Sequence, residues 1–339
     1  MTPARFAEIT ARYASLRLAL VGDFCLDRYL EIDPARAETS IETGLPVHNV
    51  VRVRSQPGGA GTILNNLAAL GVGVIHPIGF CGEDGEGYEL QRAIAQVPGV
   101  RGNLLVTPQR RTFTYCKPLV VAPGQAPVEL NRLDSKNWTP TPPAVEAALA
   151  AQLLRTDAQL QVIIVLDQVD VPETGVVTRG LLTTLGRLAE ARPQLRILGD
   201  SRRGLRDWPP ITFKMNVAEL SRMTNLPAAA SLVEIGNAAL ALAKQNGREV
   251  FVTLSERGIL GAAPNGEVEH VPCLPLRGEI DIVGAGDSVT ANLTAALAAG
   301  ATLREAIELA NAAASVVIHQ LGTTGTASVA QIRELLLAD

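Results

Sequence analysis

Residues 281–287 read Asp-Ile-Val-Gly-Ala-Gly-Asp and lead into an Ala/Leu-rich stretch whose pattern predicts a helix over 285–299. Gly284 and Gly286 permit a tight turn and a close approach of backbone to ligand. The unpaired N–H groups of a helix start attract anions, and Asp287 would stand among them. A carboxylate beside an anion hole suits phosphoryl transfer. The carboxylate takes the proton of an attacking hydroxyl, while the N–H groups of Gly284, Ala285 and Gly286 meet the charge on the transferring group. Taken alone, the heptapeptide also fits a plain Gly-rich turn with Asp as a cap.

Four further segments carry residue types that could serve such a reaction. Gly22-Asp23-Phe24-Cys25-Leu26-Asp27 follows an apolar, strand-like run. Ligands of open α/β sheets bind at carboxyl ends of strands, where Asp23 and Asp27 could accept hydrogen bonds from a polyol; a solvated turn reads the same way. Gln56-Pro57-Gly58-Gly59-Ala60-Gly61-Thr62 leads into a helix. Its glycines allow close approach, but it has neither the Walker spacing nor the dinucleotide Gly-x-Gly-x-x-Gly. Asn216 and Glu219, one helical turn apart at a strand end, could orient metal-bound water near phosphates; the same spacing fits a capping box. Thr253-Leu254-Ser255-Glu256-Arg257-Gly258 follows another strand and could touch a nucleotide.

These segments need a frame, and the 339 residues allow one large α/β domain or two ordinary ones. Hydrophobic residues make up 47% but aromatics only 4%, so Ala, Val, Leu and Ile must build the core. A net charge of −4 argues against nucleic acid or an anionic membrane as the main partner. No apolar stretch is long enough to span a bilayer, and the start reads as a polar helix over 3–15 rather than a leader. Cys25, Cys81, Cys116 and Cys273 are scattered and read as reduced core or pocket thiols. His48, His76, His270 and His319 are equally dispersed, against a zinc site or a Ser-His-Asp triad.

The β/α rhythm is strong. Strands are expected at 16–22, 72–80, 161–166, 195–199, 213–216 and 249–254, with a hairpin around Asn265-Gly266. Helices are expected at 61–70, 85–96, 142–154, 174–191, 217–224, 231–246, 285–299 and 303–320. The result is a doubly wound, mainly parallel sheet. Two stretches break the rhythm with alternating residues and prolines, 27–56 and 111–134, and these predict a separate small β-layer.

In this order the segments resemble the ribokinase-like (PfkB) carbohydrate kinases, from about Leu16 to Ile332. The resemblance rests on the early Gly-Gly, the Asn-x-x-Glu, the Thr-x-Ser-Glu-x-Gly and the Asp-x-x-Gly-Ala-Gly-Asp. Residues 21–29, Pro57-Gly58-Gly59-Ala60, Arg132-Leu133-Asp134, 310–314 and Leu321-Gly322-Thr323 are similar to the branch acting on D-glycero-D-manno-heptose 7-phosphate.

The resemblance implies a three-layer α/β/α sandwich as a single domain over 1–339, with lid strands from about 28–56 and 110–134. It implies ATP and Mg²⁺ as cofactors, leaves room for a monovalent cation, and implies transfer to a sugar's anomeric hydroxyl. Asp287 would be the base, with Gly284, Ala285 and Gly286 as the anion hole. Asp27, Gly58, Gly59, Thr62 and Asp23 would hold the sugar. Ser255, Gly258, Asn311 and Ala312 would line the nucleotide site, and Asn216 and Glu219 would reach the metal through water. It further implies a cytoplasmic homodimer joined through the lid, and a kinase without the nucleotidyltransferase half of bifunctional relatives.

Several positions depart from the heptose-kinase pattern: Thr62 for Asn, Asp200-Ser201-Arg202 for Asp-Pro-Lys, Val283 for Thr, and the whole of 166–175. They leave the sugar open to other sugars, sugar phosphates or nucleosides. For a substrate phosphate, Arg202, Arg203, Lys117 and Arg111 are all candidates. A silent sensor on the same fold would have no need of Asp287. A dinucleotide oxidoreductase would need the glycine fingerprint that is absent after the first strand.

Overall fold

The computed structural model of the protein describes residues 1–156, 159–227 and 229–337. Its main sheet has eight strands, in the order Val268–Val271, Ile259–Ala262, Val250–Thr253, Thr212–Asn216, Arg196–Ser201, Val162–Asp167, Arg17–Gly22 and Val74–Ile78. The pairings from Val250–Thr253 to Val74–Ile78 are all parallel, and the hairpin turning at Asn265-Gly266 adds the antiparallel edge. Parallel strands covered on both faces read as unbroken apolar runs; every residue of Val162–Asp167 is buried.

The period of two in Arg17–Gly22 divides the molecule into layers. Leu18 and Leu20 point into one core with the helices Ala60–Ala69, Ala285–Ala298 and Leu303–Val317. Ala19 and Val21 point into the other, with Pro143–Leu154, Arg179–Ala191 and Leu232–Asn246. The fold is the expected three-layer α/β/α sandwich.

A second, five-stranded sheet stands over the carboxyl ends of the parallel strands. Its central strand, Phe24–Ile32, continues almost directly from Gly22. It pairs antiparallel with Val50–Gly59 and parallel with Phe113–Val120. Val128–Glu129 and Leu133–Ser135 pair with the latter. The two stretches that broke the β/α rhythm are therefore brought side by side, and the sheet runs further than the expected range, to Gly59.

Other expectations shift. The strand expected at 72–80 splits at Gly79, where a Cβ would lie 2.7 Å from Gly22 O; Phe80–Gly82 then pairs with Leu105–Thr107. The helix expected from 174 begins at Arg179, capped by Thr178. Residues before it form a strap whose Val176 N–H donates to Asp23. The helix from Leu303 ends at Val317, and a helix over Val329–Leu336 with a Ser328/Gln331 capping box was not anticipated. Cys25, Cys81 and Cys116 are buried but Cys273 is exposed.

Candidate active site

The helix Ala285–Ala298 begins at Gly284, whose φ of 82° lies in the left-handed region. Behind it, Asp281 Oδ1 accepts from Val283 N–H at 3.0 Å and fixes the turn. The backbone N–H groups of Gly284, Gly286 and Asp287 have no protein acceptor among the described residues, so the helix start is an open anion hole. Ala285 does not contribute as expected: its N–H already donates to Ile282 O at 3.2 Å, closing the turn. Asp287 lies in the first helical turn, its side chain partly accessible. Burial, reinforced by the nearby Asp200 charge and opposed by Lys214, pushes its carboxyl up to about 7. That value suits a group that must take up a proton near neutral pH.

Beside the hole stands a lysine that the sequence patterns did not single out. Strand register places Leu166, Asp200 and Lys214 at one level of adjacent strands. The buried Lys214 Nζ reaches Asp200 Oδ2 at 2.8 Å. Thr290 Oγ1, on the anion-hole helix, donates to the same oxygen at 2.8 Å. A Cβ on Gly286 would lie 3.3 Å from Lys214 Nζ, so the ammonium is directly beside the open N–H groups. Burial disfavours its charge, but Asp200 outweighs this and holds the lysine protonated. The only hint in the sequence was a lysine within the otherwise apolar Thr212–Met215 run.

The residues expected to hold the sugar stand mostly on the second sheet. Asp27 lies in the central strand, opposite Gln56 in register and next to Gly58. A Cβ at Gly58 would lie 2.4 Å from Asp27 Oδ2, so this glycine makes room for the carboxylate. Lys117 Nζ, on the parallel neighbour, stands 3.4 Å from Asp27 Oδ1. Burial raises the Asp27 carboxyl, and Lys117 offsets part of that rise. The Asp27 charge adds a small part to the rise of the Asp287 carboxyl. Gly59 ends its strand and starts the helix Ala60–Ala69. Thr62, buried in that helix, sets its methyl 3.5 Å from where a Cβ of Gly284 would be. Gln56 donates to Thr324, whose Cβ packs 3.6 Å from that same point.

Asp23 corrects an expectation. It is buried, and its oxygens accept from Val176 N–H at 2.7 Å and Gln168 N–H at 2.8 Å. It fastens the strap 168–176 to the first strand instead of facing a ligand. Burial and the neighbouring Asp167 push it up to about 7.

The expected nucleotide residues divide in the same way. Asn216 and Glu219 form a capping box: Asn216 Oδ1 accepts from Glu219 N–H at 2.9 Å, and Glu219 Oε2 accepts from Asn216 N–H at 2.7 Å. One Glu219 oxygen remains. Burial raises this carboxyl, with Asn216 N–H opposing. Asn311 spends its amide on Val271 O (2.9 Å) and Pro272 O (3.3 Å), and Ala312 is wholly buried in the helix core; neither side chain faces a ligand. Ser255 is exposed at the start of the short 3₁₀ turn Ser255–Arg257. Gly258 has φ 92°, and a Cβ there would lie 2.1 Å from Val271 O, so the fold itself requires this glycine.

Among the candidate phosphate-binding cations, two are committed elsewhere. Arg203 donates to the buried Asp167 at 2.7 Å, and Lys117 is held by Asp27 and Tyr29. Arg111 is exposed and carries its charge towards Asp84. Arg202 stays half-exposed, 3.6 Å from Asp170.

The described residues hold no cluster of three or more His, Cys, Asp or Glu side chains placed to ligate a metal. The remaining Glu219 oxygen would suit a Mg²⁺ carried mainly by phosphates and water. Among the described residues no helix is long and apolar enough to cross a membrane.

Known proteins share this fold. In fold, the chain is similar to Arabidopsis thaliana ribokinase complexed with ribose and ATP (TM-score 0.69, 19% identity, covering 96% of this chain and 99% of that one). It is likewise similar to Escherichia coli phosphofructokinase-2 in complex with fructose-6-phosphate (TM-score 0.68, 21% identity, 95% and 98% covered). In sequence it is similar to the bifunctional protein HldE of Azorhizobium caulinodans, 31% identical over 90% of this chain and 61% of that protein. The HldE of a Bradyrhizobium species is 30% identical over 98% of this chain and 66% of its own length. The chain thus spans about two thirds or less of the curated relatives it matches. Residues 23–330 match the profile described as pfkB family carbohydrate kinase. With that match over most of its length and an aspartate at an open helix start, this chain belongs to the pfkB family of carbohydrate kinases.

Proposed function

We propose that this ATP-dependent sugar kinase phosphorylates the anomeric hydroxyl of D-glycero-D-manno-heptose 7-phosphate. The observation that carries the chemistry is Asp287 at a helix start whose N–H groups are open, beside Lys214. The choice of sugar is supported by the HldE-named relatives, matched over 90–98% of this chain.

Asp27 accepts hydrogen bonds from sugar hydroxyls and turns the anomeric oxygen towards Asp287. Asp287 takes the proton of that hydroxyl. The sugar oxygen forms its bond to the γ-phosphorus as the bond from that phosphorus to the β,γ-bridging oxygen breaks, and ADP leaves with the bridging electrons. The N–H groups of Gly284 and Gly286, with Lys214, stabilise the equatorial oxygens where charge develops. Mg²⁺, held through water by Glu219, would offset charge on the nucleotide phosphates when bound. The exposed Val51, Val53, Val128 and Leu133 on the second sheet support pairing of two such sheets in a homodimer.

The test is an acceptor panel of heptose 7-phosphate, fructose 6-phosphate, ribose, fructose and nucleosides, with products identified by ³¹P NMR. A heptose 1,7-bisphosphate and the highest kcat/KM on the heptose are expected. A clear preference for ribose, fructose or a nucleoside overturns the heptose reading and leaves the kinase chemistry in place.

A further inference from the structure

The segment 166–175 and the triplet Asp200-Ser201-Arg202 both depart from the heptose-kinase pattern, and the structure brings them together. Asp170 lies in the strap after Val162–Asp167. It accepts from Lys136 Nζ at 3.0 Å and stands 3.6 Å from Arg202. Lys136 directly follows the second-sheet strand Leu133–Ser135, whereas Arg202 follows the main-sheet strand Arg196–Ser201. One carboxylate thus bridges a cation beside the second sheet and a cation beside the main sheet.

The three backbones are fixed while the charged tips are open. Arg202 N–H donates to Asp167 O at 3.0 Å, Asn137 beside Lys136 is clamped to the backbone of Arg111, and Asp23 and Arg110 pin both ends of the strap. Yet Asp170 is 53% exposed and Arg202 52%. Contacts of this kind contribute little in water, so they form a poor brace but an easily exchanged one. A cleft lined by Tyr115, Lys136, Trp138, Val169 and Asp170 opens beside them. Lys136 lies 5.9 Å over the Tyr115 ring, and the Arg202 charge is sensed at both Tyr115 and Asp287.

We infer that Lys136 and Arg202 form the subsite for the phosphate that the sugar already carries, and that Asp170 occupies it until the substrate arrives. A phosphate dianion offers a fork-matched partner to a guanidinium and more charge than one carboxylate. It therefore displaces Asp170 and draws the second sheet onto the main sheet. The site selects a phosphorylated over a neutral sugar at the end remote from Asp287. This rests on the sugar-phosphate reading above.

The experiment compares Lys136→Gln, Arg202→Gln and Asp170→Asn with the unaltered protein on matched acceptor pairs, heptose 7-phosphate with heptose and fructose 6-phosphate with fructose. Each cation variant should lower the phosphorylated-to-neutral ratio of kcat/KM about tenfold or more, the size of a lost charged hydrogen bond. Inorganic phosphate should compete with the sugar phosphate in the unaltered protein and much less in Arg202→Gln. Asp170→Asn, relieved of the competing carboxylate, should lower KM for the sugar phosphate. Equal losses on both members of a pair, or an unchanged ratio, overturn the subsite while the sugar-phosphate reading stands. If the unaltered protein prefers the neutral sugar of each pair, the sugar-phosphate reading falls and the subsite falls with it.

Discussion

Burial first, and the Asp200 charge second, raise the Asp287 carboxyl to about 7. Asp287→Asn should lower kcat ~10²–10⁴-fold while calorimetry still detects ATP binding. Because the base must be ionised, kcat/KM should rise with pH through about 7, and that limb should vanish in the variant. The sign for stability is the opposite. A carboxyl raised above its unfolded value contributes stability that is complete below the unfolded value and lost as pH rises through about 7. Asp287→Asn should therefore be more stable than the unaltered protein at pH 8, by on the order of a few kcal/mol, and the gap should narrow steadily as pH falls to 4. Equal melting temperatures at both pH values would contradict this assignment. Asp23, nearby in sequence to Asp27, has a different task. In Asp23→Asn one amide N–H₂ would face a backbone donor, leaving it unsatisfied at ~1–3 kcal/mol. Hydrogen exchange over 168–176 should accelerate, with little change in the rate of phosphoryl transfer at saturating sugar.

At the scale of elements, strands and helices were legible wherever one local rule governed them. The unbroken Val162–Asp167 run and the helix 217–224 came out as expected because burial on both faces and an Asn216/Glu219 cap are written locally. The same cap shows the limit of that legibility. The spacing Asn-x-x-Glu fits both a capping box and a metal-water site, and the structure occupies the box. Lys214 stayed hidden because its partner Asp200 sits on a neighbouring strand, related to it by register rather than by sequence spacing. The start of the helix at Arg179 was missed for a similar reason, since its preceding strap is held by Asp23, far away in sequence. Gly258 belongs here too. It looked like a nucleotide contact, yet its left-handed backbone and the 2.1 Å approach to Val271 O make it part of the sheet edge. Gly258→Ala should destabilise the fold by ~1–3 kcal/mol, seen as a lower urea midpoint, rather than raise KM for ATP in molecules that remain folded.

On the scale of the whole molecule, the two sheets divide the work. The main sheet with its helices carries Asp287, Lys214 and Asp200, and the second sheet carries Asp27, Gly58 and Lys117. The second sheet covers less apolar surface, and its strand Val50–Gly59 has exposed valines along its outer part. Hydrogen exchange over 28–56 should slow when the sugar phosphate binds, because the ligand supplies contacts between the sheets that the protein lacks alone. Unchanged exchange at saturating acceptor would argue against closure.

The parallel pairing of Phe24–Ile32 with Phe113–Val120 also dictates an order of assembly. A parallel neighbour cannot be supplied by a hairpin, so a full crossover must be in place first. As the chain leaves the ribosome, the strand bearing Asp27 keeps a bare edge until residue 113 and beyond have emerged, open to mispairing with other nascent chains. From Arg17–Gly22 the main sheet then grows outward on one side, each later strand docking on the one before. The sheet bearing Asp27 has thus emerged in full well before Lys214 and the helix at 285 arrive. Chains cut short between these points would carry Asp27 and its sheet without Asp287 or its open helix start.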